Sequence, residues 1–363
     1  VQSAKTTDWM IPITTISLLV IGLLMVHSAS TYLSAERHAD AFYYFKRQLM
    51  WAGIGLLFMF GLSRVDYRIF LKYARSILFF CLVFLALVLV PHVGQVRGGS
   101  RAWLGIGTFG IQPSEFAKFG LLIFLSAYLS DEPDRMLSFK RGLVPPLLIM
   151  TLFIGLIMLE PDLGQSAVIA GATLLLVFVA GARARHLLSL LAVGLVLFAG
   201  LIAAAPYRLM RILSFLDPWK YPRGIGYHII MSLIAVGRGS FLGQGLGNST
   251  QKFLYLPEPQ TDFIFAILTE ELGFLGALLT LFLFGVLIWR GLRVAMQARD
   301  RFGAYLAAAF TGVIGIQVFI NIGVVTGILP VTGITLPFIS YGGSSLMLLL
   351  SAVGILMSIS RTT

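Results

Sequence analysis

Ten stretches of this sequence are apolar and long enough, or nearly so, to cross a lipid bilayer, which takes roughly 20 helical residues each. They fall near residues 10–27, 48–63, 76–93, 114–129, 144–159, 165–181, 187–205, 264–289, 303–325 and 344–360. A chain of 363 residues with 58% hydrophobic and only 12% charged residues cannot hide that much apolar surface in one water-soluble domain, so lipid must cover the remainder. The expected fold is an all-α polytopic membrane protein of about ten transmembrane helices, with one membrane domain over 1–363. A long extracytoplasmic loop at 206–262 is expected between helices 7 and 8.

Charge sets the orientation. The net charge of +11 does not point to nucleic acid, because the basic residues sit in short loops and not on one soluble module. With the first end inside, fifteen of the 27 Lys and Arg residues fall on the cytoplasmic side, among them Arg64, Lys140, Arg290 and Arg361. Half of the remaining twelve lie in the single loop 206–262. The bias puts both termini in the cytoplasm. Ser28-Ala29-Ser30 faintly resembles a cleavage site, but only Lys5 precedes the first stretch, which reads as an uncleaved helix. Cys81, inside an apolar stretch, reads as a small buried hydrophobe.

The acids show the opposite bias. Glu115, Glu160, Asp162, Asp262, Glu270 and Glu271 all fall at outer ends of spans or slightly within them, which suggests an outward-facing polar cavity. Asp262, in Leu256-Pro257-Glu258-Pro259-Gln260-Thr261-Asp262-Phe263, is the most informative of them. A carboxylate at the edge of hydrocarbon is costly to keep charged, so its default reading is functional; the bland alternative is a helix N-cap. Four segments could supply the rest of a site. Arg101 lies in a glycine-rich loop that leads to Gln112-Pro113-Ser114-Glu115-Phe116-Ala117-Lys118, where Glu115 and Lys118 share a helix face and either contact substrate or form a structural ion pair. Glu160-Pro161-Asp162-Leu163-Gly164-Gln165 is a polar break between apolar runs, read as a cavity wall or a short outer hairpin. The loop 206–262 brings Arg208, Arg211, Lys220, Arg223, Arg238 and Lys252 together with Gly237, Gly239, Gly243, Gly245 and Gly247, which suits an anion such as a diphosphate or, equally, lipid headgroups. Uncharged Gly333 through Ser345 could hold an anion at a helix start near Ser344, or make a tight turn for helix packing. No nucleotide fingerprint is present, and the histidines are scattered.

Gln112 through Lys118, Glu160 through Gly164, Leu256 through Phe263 and Leu336 through Ser345 follow one another as the signature stretches of the SEDS family of bacterial cell-wall polymerases do. The sequence resembles that family over essentially all ten spans, and its last motif and Thr261 through Gly276 are closer to the FtsW branch with its sporulation relatives than to RodA. The resemblance implies a peptidoglycan glycosyltransferase of the bacterial inner membrane that uses lipid II, with Asp262 as the essential carboxylate. Glu115, Lys118, Glu160, Asp162, Gln165, Arg101, Arg223, Lys252, Glu258 and Ser344 are then candidate substrate contacts. The implied partners are lipid II, membrane lipid and a class B penicillin-binding protein transpeptidase acting in trans, without nucleic acid. A divalent cation, Mg2+ or Mn2+, is the expected cofactor, with no organic one. The rival reading is a lipid II flippase without chemistry. It sits poorly with polar residues gathered at one face and not at the midplane.

Overall fold

Lipid offers the backbone no hydrogen-bond partners, so each apolar stretch must satisfy its own amides, and it does so here as α-helix. The computed structural model describes residues 8–362 except 98–99, 107–108, 133–135, 137, 184, 187, 191, 193, 195, 197–199, 201–205, 223 and 254. The helices are α1 (Met10–His38), α2 (Tyr43–Leu62), α3 (Arg68–Leu89), α4 (Pro113–Asp131), α5 (Val144–Leu159), α6 (Leu163–Val179), α7 (Pro206–Leu216), α8 (Ile225–Arg238), α9 (Ile264–Gln297), α10 (Arg301–Val325) and α11 (Gly343–Ser360). A π-helical turn, Phe139–Leu143, leads into α5. Six of the described helices are long and apolar enough to cross a membrane by length and composition, which makes this a multi-pass membrane protein. Every expected span falls on a described helix except 187–205, much of which lies outside the described residues.

α3 begins well before the expected 76, at Arg68. Hydropathy alone discounts Arg68, Lys72 and Arg75, yet long cationic side chains can run along a helix with their heads exposed, and all three are exposed. α2 packs along α11, α3 along α4, and α9 along both α10 and α1. α10 and α11 are buried along most of their length, whereas Phe79 and Phe80 of α3 and Leu278, Leu279 and Phe282 of α9 face outward.

Two segments that read as loops are folded. A small antiparallel sheet is made of β1 (Gln95–Arg97), β2 (Ser100–Ile106) and β3 (Phe109–Ile111), with Leu104 paired to Ile111. It adds a cap to an otherwise helical fold. The segment 206–262 contains α7 and α8, not just loop.

α9 is broken inside. Gly273 has φ 68° and ψ −168°, a conformation that costs other residues dearly. The break would orphan backbone groups at membrane depth, and the loop after α8 repairs it from the side. Gln244 and Gly245 donate to the carbonyls of Glu270 and Glu271 at 2.9 and 3.0 Å. Phe274 and Leu275 donate to the carbonyls of Ser240 and Phe241 at 3.0 and 3.3 Å. A Cβ on Gly243 or Gly273 would strike the opposing backbone. These loop glycines allow close packing and do not serve as the flexible anion-binding backbone that their spacing suggests.

Candidate active site

The described ends of several helices enclose a cavity of about 1040 Å³. Its walls come from the α1–α2 connection, β2, the N-termini of α4, α6 and α11, residues 257–263 and residues 331–335. Asp262 is half-buried and lines it. α9 starts at Ile264 with Phe263 as N-cap and no side-chain cap, so the capping alternative for Asp262 does not hold. The side chain of Asp262 makes no hydrogen bond among the described residues, whereas its backbone is tightly held. Asn321 of α10 donates to the carbonyls of Asp262 and Ile334 at 2.8 and 2.7 Å. Ser340 Oγ donates to the Thr261 carbonyl at 2.6 Å, and Tyr341 N donates to that of Gln260 at 2.8 Å. Residues 256–263 are thereby stitched to the segment before α11. Gly333, at φ 75°, faces the carboxylate, and a Cβ added there would sit 3.6 Å from Asp262 Oδ2.

Burial disfavours the charged form of Asp262, and the neighbouring Glu258 and Asp162 add repulsion. Arg211 acts the other way, and the carboxyl is pushed up to about 7. His228 of α8 shares the cavity, with its ring stacked at 5.9 Å on Phe263. Burial and then Arg211 hold its imidazole below the usual histidine range.

A second acidic centre joins α4 to α6. Lys118 Nζ lies 2.8 Å from Glu115 Oε2, and both are buried. Gln165 Nε2 donates to Glu115 Oε1 at 2.5 Å. Asp162 is the N-cap of α6, accepting from Gln165 N at 2.9 Å and from Gln112 Nε2 at 3.2 Å. Glu115, Asp162 and Gln165 line the cavity, while Lys118 stands behind as the counter-charge of Glu115. Burial raises the Asp162 carboxyl above its ordinary range, against the pull of its backbone bond from Gln165. Ser344 lines the cavity and accepts from Gln112 N at 3.3 Å. Glu258, exposed and at φ 49°, also lines it.

The remaining expected contacts lie elsewhere. Glu160 is fully buried outside the cavity lining; neither carboxylate oxygen has a hydrogen-bond partner, and burial with Asp162 nearby pushes its pKa up to about 8. Its carbonyl accepts from Ser100 Oγ, which fastens β2 over the turn. Arg101 is exposed and packs its stem against Gly94, away from the cavity. Lys252 is buried and spent on Glu271 at 3.1 Å, with Ser28 and the Gly247 carbonyl as further acceptors. Glu270 accepts from Ser249 Oγ and Thr250 Oγ1. Glu270 and Glu271 therefore brace the α9 break and do not line the cavity. Arg223 lies outside the described residues.

Sequence reading missed Arg37, His38, Tyr43, Tyr44, Arg47 and Trp51, all of which line the cavity. Charge bias had placed this connection on the same side as the acids, but nothing local marks it as facing them. Asn321, near the end of an apolar span, is the other legible signal, since a buried amide needs partners.

A helical membrane bundle with a carboxylate-lined cavity at one end, fed by the N-termini of several helices, defines a polytopic membrane protein with a polar site at the ends of its helices. The chain belongs to the FtsW/RodA/SpoVE family, described as cell cycle proteins, whose profile matches residues 8–363. It is 52% identical to the stage V sporulation protein E of Bacillus subtilis, over 98% of this chain and 97% of that one. It is 42% identical to a probable peptidoglycan glycosyltransferase FtsW of Coxiella burnetii, covering 100% and 99%. Among solved structures it superposes with TM-score 0.81 and 31% identity on a chain described under structural coordination of polymerization and crosslinking by a peptidoglycan synthase complex, covering 98% of each. The rod shape determining protein RodA of Thermus thermophilus aligns with TM-score 0.73 and 30% identity, covering 98% of this chain and 97% of that one. The expected leaning toward the FtsW and sporulation branch agrees with these identities.

Proposed function

We propose that the chain is a peptidoglycan glycosyltransferase that joins lipid II units into glycan strands at the outer face of the bacterial cytoplasmic membrane, with both termini in the cytoplasm. The family relationship supports the activity, and the observation that carries the mechanism is the Asp262 carboxylate. It lines a roomy polar cavity, makes no hydrogen bond among the described residues, and sits where burial and like charge bring its pKa to about 7. A sugar hydroxyl is a weak nucleophile, and a base with a pKa near the working pH is best suited to take its proton. The acceptor 4-hydroxyl oxygen bonds to the donor anomeric carbon while its proton passes to an Asp262 oxygen. The bond from that carbon to the diphosphate oxygen breaks, and the lipid diphosphate leaves with the electron pair.

The anchoring of residues 260–262 by Asn321, Ser340 and Tyr341 supplies the preorganisation that such a transfer needs. Glu115, Asp162 and Gln165 form a polar wall able to accept hydrogen bonds from substrate hydroxyls and amides. Among the described residues no cluster of three or more His, Cys, Asp or Glu could hold a metal ion. A Mg2+ or Mn2+ requirement would therefore enter with the substrate's diphosphate and not in a protein cage. Orientation follows from the bias of Lys and Arg. Crosslinking is assigned to a class B penicillin-binding protein in trans, in keeping with the pairing of polymerization and crosslinking described for the structural neighbour.

The test gives purified protein and its partner labelled lipid II and resolves the products on a gel. Asp262→Asn should yield no polymer while melting like the wild type. Wild-type polymer from that variant would remove Asp262 as the base.

A further inference from the structure

We infer that the connection after α8 is a re-entrant hairpin whose tip, residues 241–246, is anchored among the lipid acyl chains of the leaflet next to the cavity. This anchorage is independent of the chemistry assigned to Asp262. α8 descends beside the start of α9. His228 in its first turn stacks on Phe263 at 5.9 Å, and a Cβ on Gly239 just past its end would strike the Thr269 carbonyl. The chain then turns across the α9 break and returns at Ser249 and Thr250, whose amides donate to the carboxylates of Glu271 and Glu270 at 3.3 and 3.2 Å.

The break lies at hydrocarbon depth. From Phe274 to Arg290, α9 runs without interruption, a length of about 24 Å at roughly 1.5 Å per residue. Exposed Trp289, beside Arg290, marks the far membrane interface. A hydrocarbon core of about 30 Å measured from there extends past Phe274 by roughly 6 Å, and any tilt of the helix increases the overlap. Phe274 and Leu275 are exposed, as are Leu278, Leu279 and Phe282 further along the same helix. Phe241 stacks on Phe274 at 5.9 Å, so the tip continues the lipid-facing surface of α9.

The composition and bonding of the tip are those of a lipid-covered turn. No charged residue occurs between Arg238 and Lys252. Leu242 is 75% exposed, Phe241 61% and Leu246 58%, an exposure that water penalises and acyl chains do not. Hydrocarbon offers carbonyls no donor, so a turn at this depth must supply its own. Gln244 Nε2 donates to the Arg238 carbonyl at 2.6 Å and Asn248 Nδ2 to that of Gln244 at 3.1 Å. Gly243 N donates to the Gly239 carbonyl at 2.8 Å, and Phe274 and Leu275 serve those of Ser240 and Phe241. Lys252 Nζ reaches the Gly247 carbonyl at 2.5 Å. The flanking cations are matched as well, Arg238 lying 3.8 Å from Glu270 and Lys252 3.1 Å from Glu271.

The experiment places a nitroxide at single cysteines, Leu242→Cys and Leu246→Cys, in the full chain carrying Cys81→Ala and reconstituted in phosphatidylcholine liposomes. Power saturation compares collisions with oxygen, which partitions into acyl chains, against collisions with a water-soluble nickel chelate. Phe282→Cys on α9 gives the lipid reference and Lys46→Cys, at an exposed position, the water reference. Both tip labels should show an oxygen-to-nickel ratio several-fold above that of Lys46→Cys and close to that of Phe282→Cys. Both side chains are exposed, so neither exchange opens a cavity; should one variant still fail to fold, the other decides. A ratio like that of Lys46→Cys at either site overturns the anchorage. Low accessibility to both reagents also overturns it, because the tip would then be covered by a second copy of the chain and not by lipid.

Discussion

Asn321 donates one amide hydrogen to the main-chain carbonyl of Asp262 at 2.8 Å and the other to that of Ile334 at 2.7 Å. A single buried side chain on α10 thus fixes the spacing between the acid and the segment that faces it across Gly333. Replacing it with Ala leaves both carbonyls short of a donor and frees the Asp262 backbone. Asn321→Ala should lower kcat by roughly 10- to 100-fold, the scale expected when a reacting group is misplaced, with lipid II binding little changed. Wild-type turnover per folded molecule would show that Asn321 serves stability alone.

The acidity of Asp262 gives the polymerase a pH signature. Burial, Glu258 and Asp162 all disfavour the carboxylate, so protonation removes the base below about 7. kcat/KM should rise with pH through that value and level off above it. Glu258→Gln removes a repelling charge, which lowers the pKa and should move the acid limb to lower pH. A rate that stays flat from pH 8 down to pH 5 contradicts the assignment.

The Glu115–Lys118 pair is buried on both sides. Lys118→Met strands the Glu115 carboxylate and should cost about 3–5 kcal/mol, the penalty of an uncompensated buried charge. Lys118→Met combined with Glu115→Gln removes both charges and should recover most of that loss. Thermal melts in detergent that are equal for the single and double variants would mean the pair carries no such coupling.

Gly273 and Gly243 meet backbone to backbone at the α9 break, both at positive φ. Gly273→Ala or Gly243→Ala should destabilise the protein by roughly 2 kcal/mol or more, from strain and collision together. Gly237→Ala, at a helical position with open space around it, should be neutral. Equal melting temperatures for all three variants would mean that the inserted loop does not hold the break closed.

The apolar stretches foretold helices at α1, α2, α4, α5, α6, α9, α10 and α11 because lipid permits only self-satisfied backbone there. Asp262 stood out for the same reason, as a charge that hydrocarbon does not tolerate idly. The Glu115–Lys118 pairing also followed from helical spacing alone.

Local pattern had no access to which cations reach the acids. Charge and glycine content single out Lys252 and Arg101 in the loops, yet Lys252 is buried against Glu271 and Arg101 lies outside the cavity lining. Arg37 and Arg47 enter because α2 packs along α11 and brings Tyr44 against Tyr341, a contact between residues far apart in the chain. The sequence by itself determined that this protein lives in a membrane and keeps acids at one end. Only the tertiary structure decided which of them face the cavity and what surrounds them, because burial and the direction of a side chain depend on neighbours that the chain brings in from elsewhere.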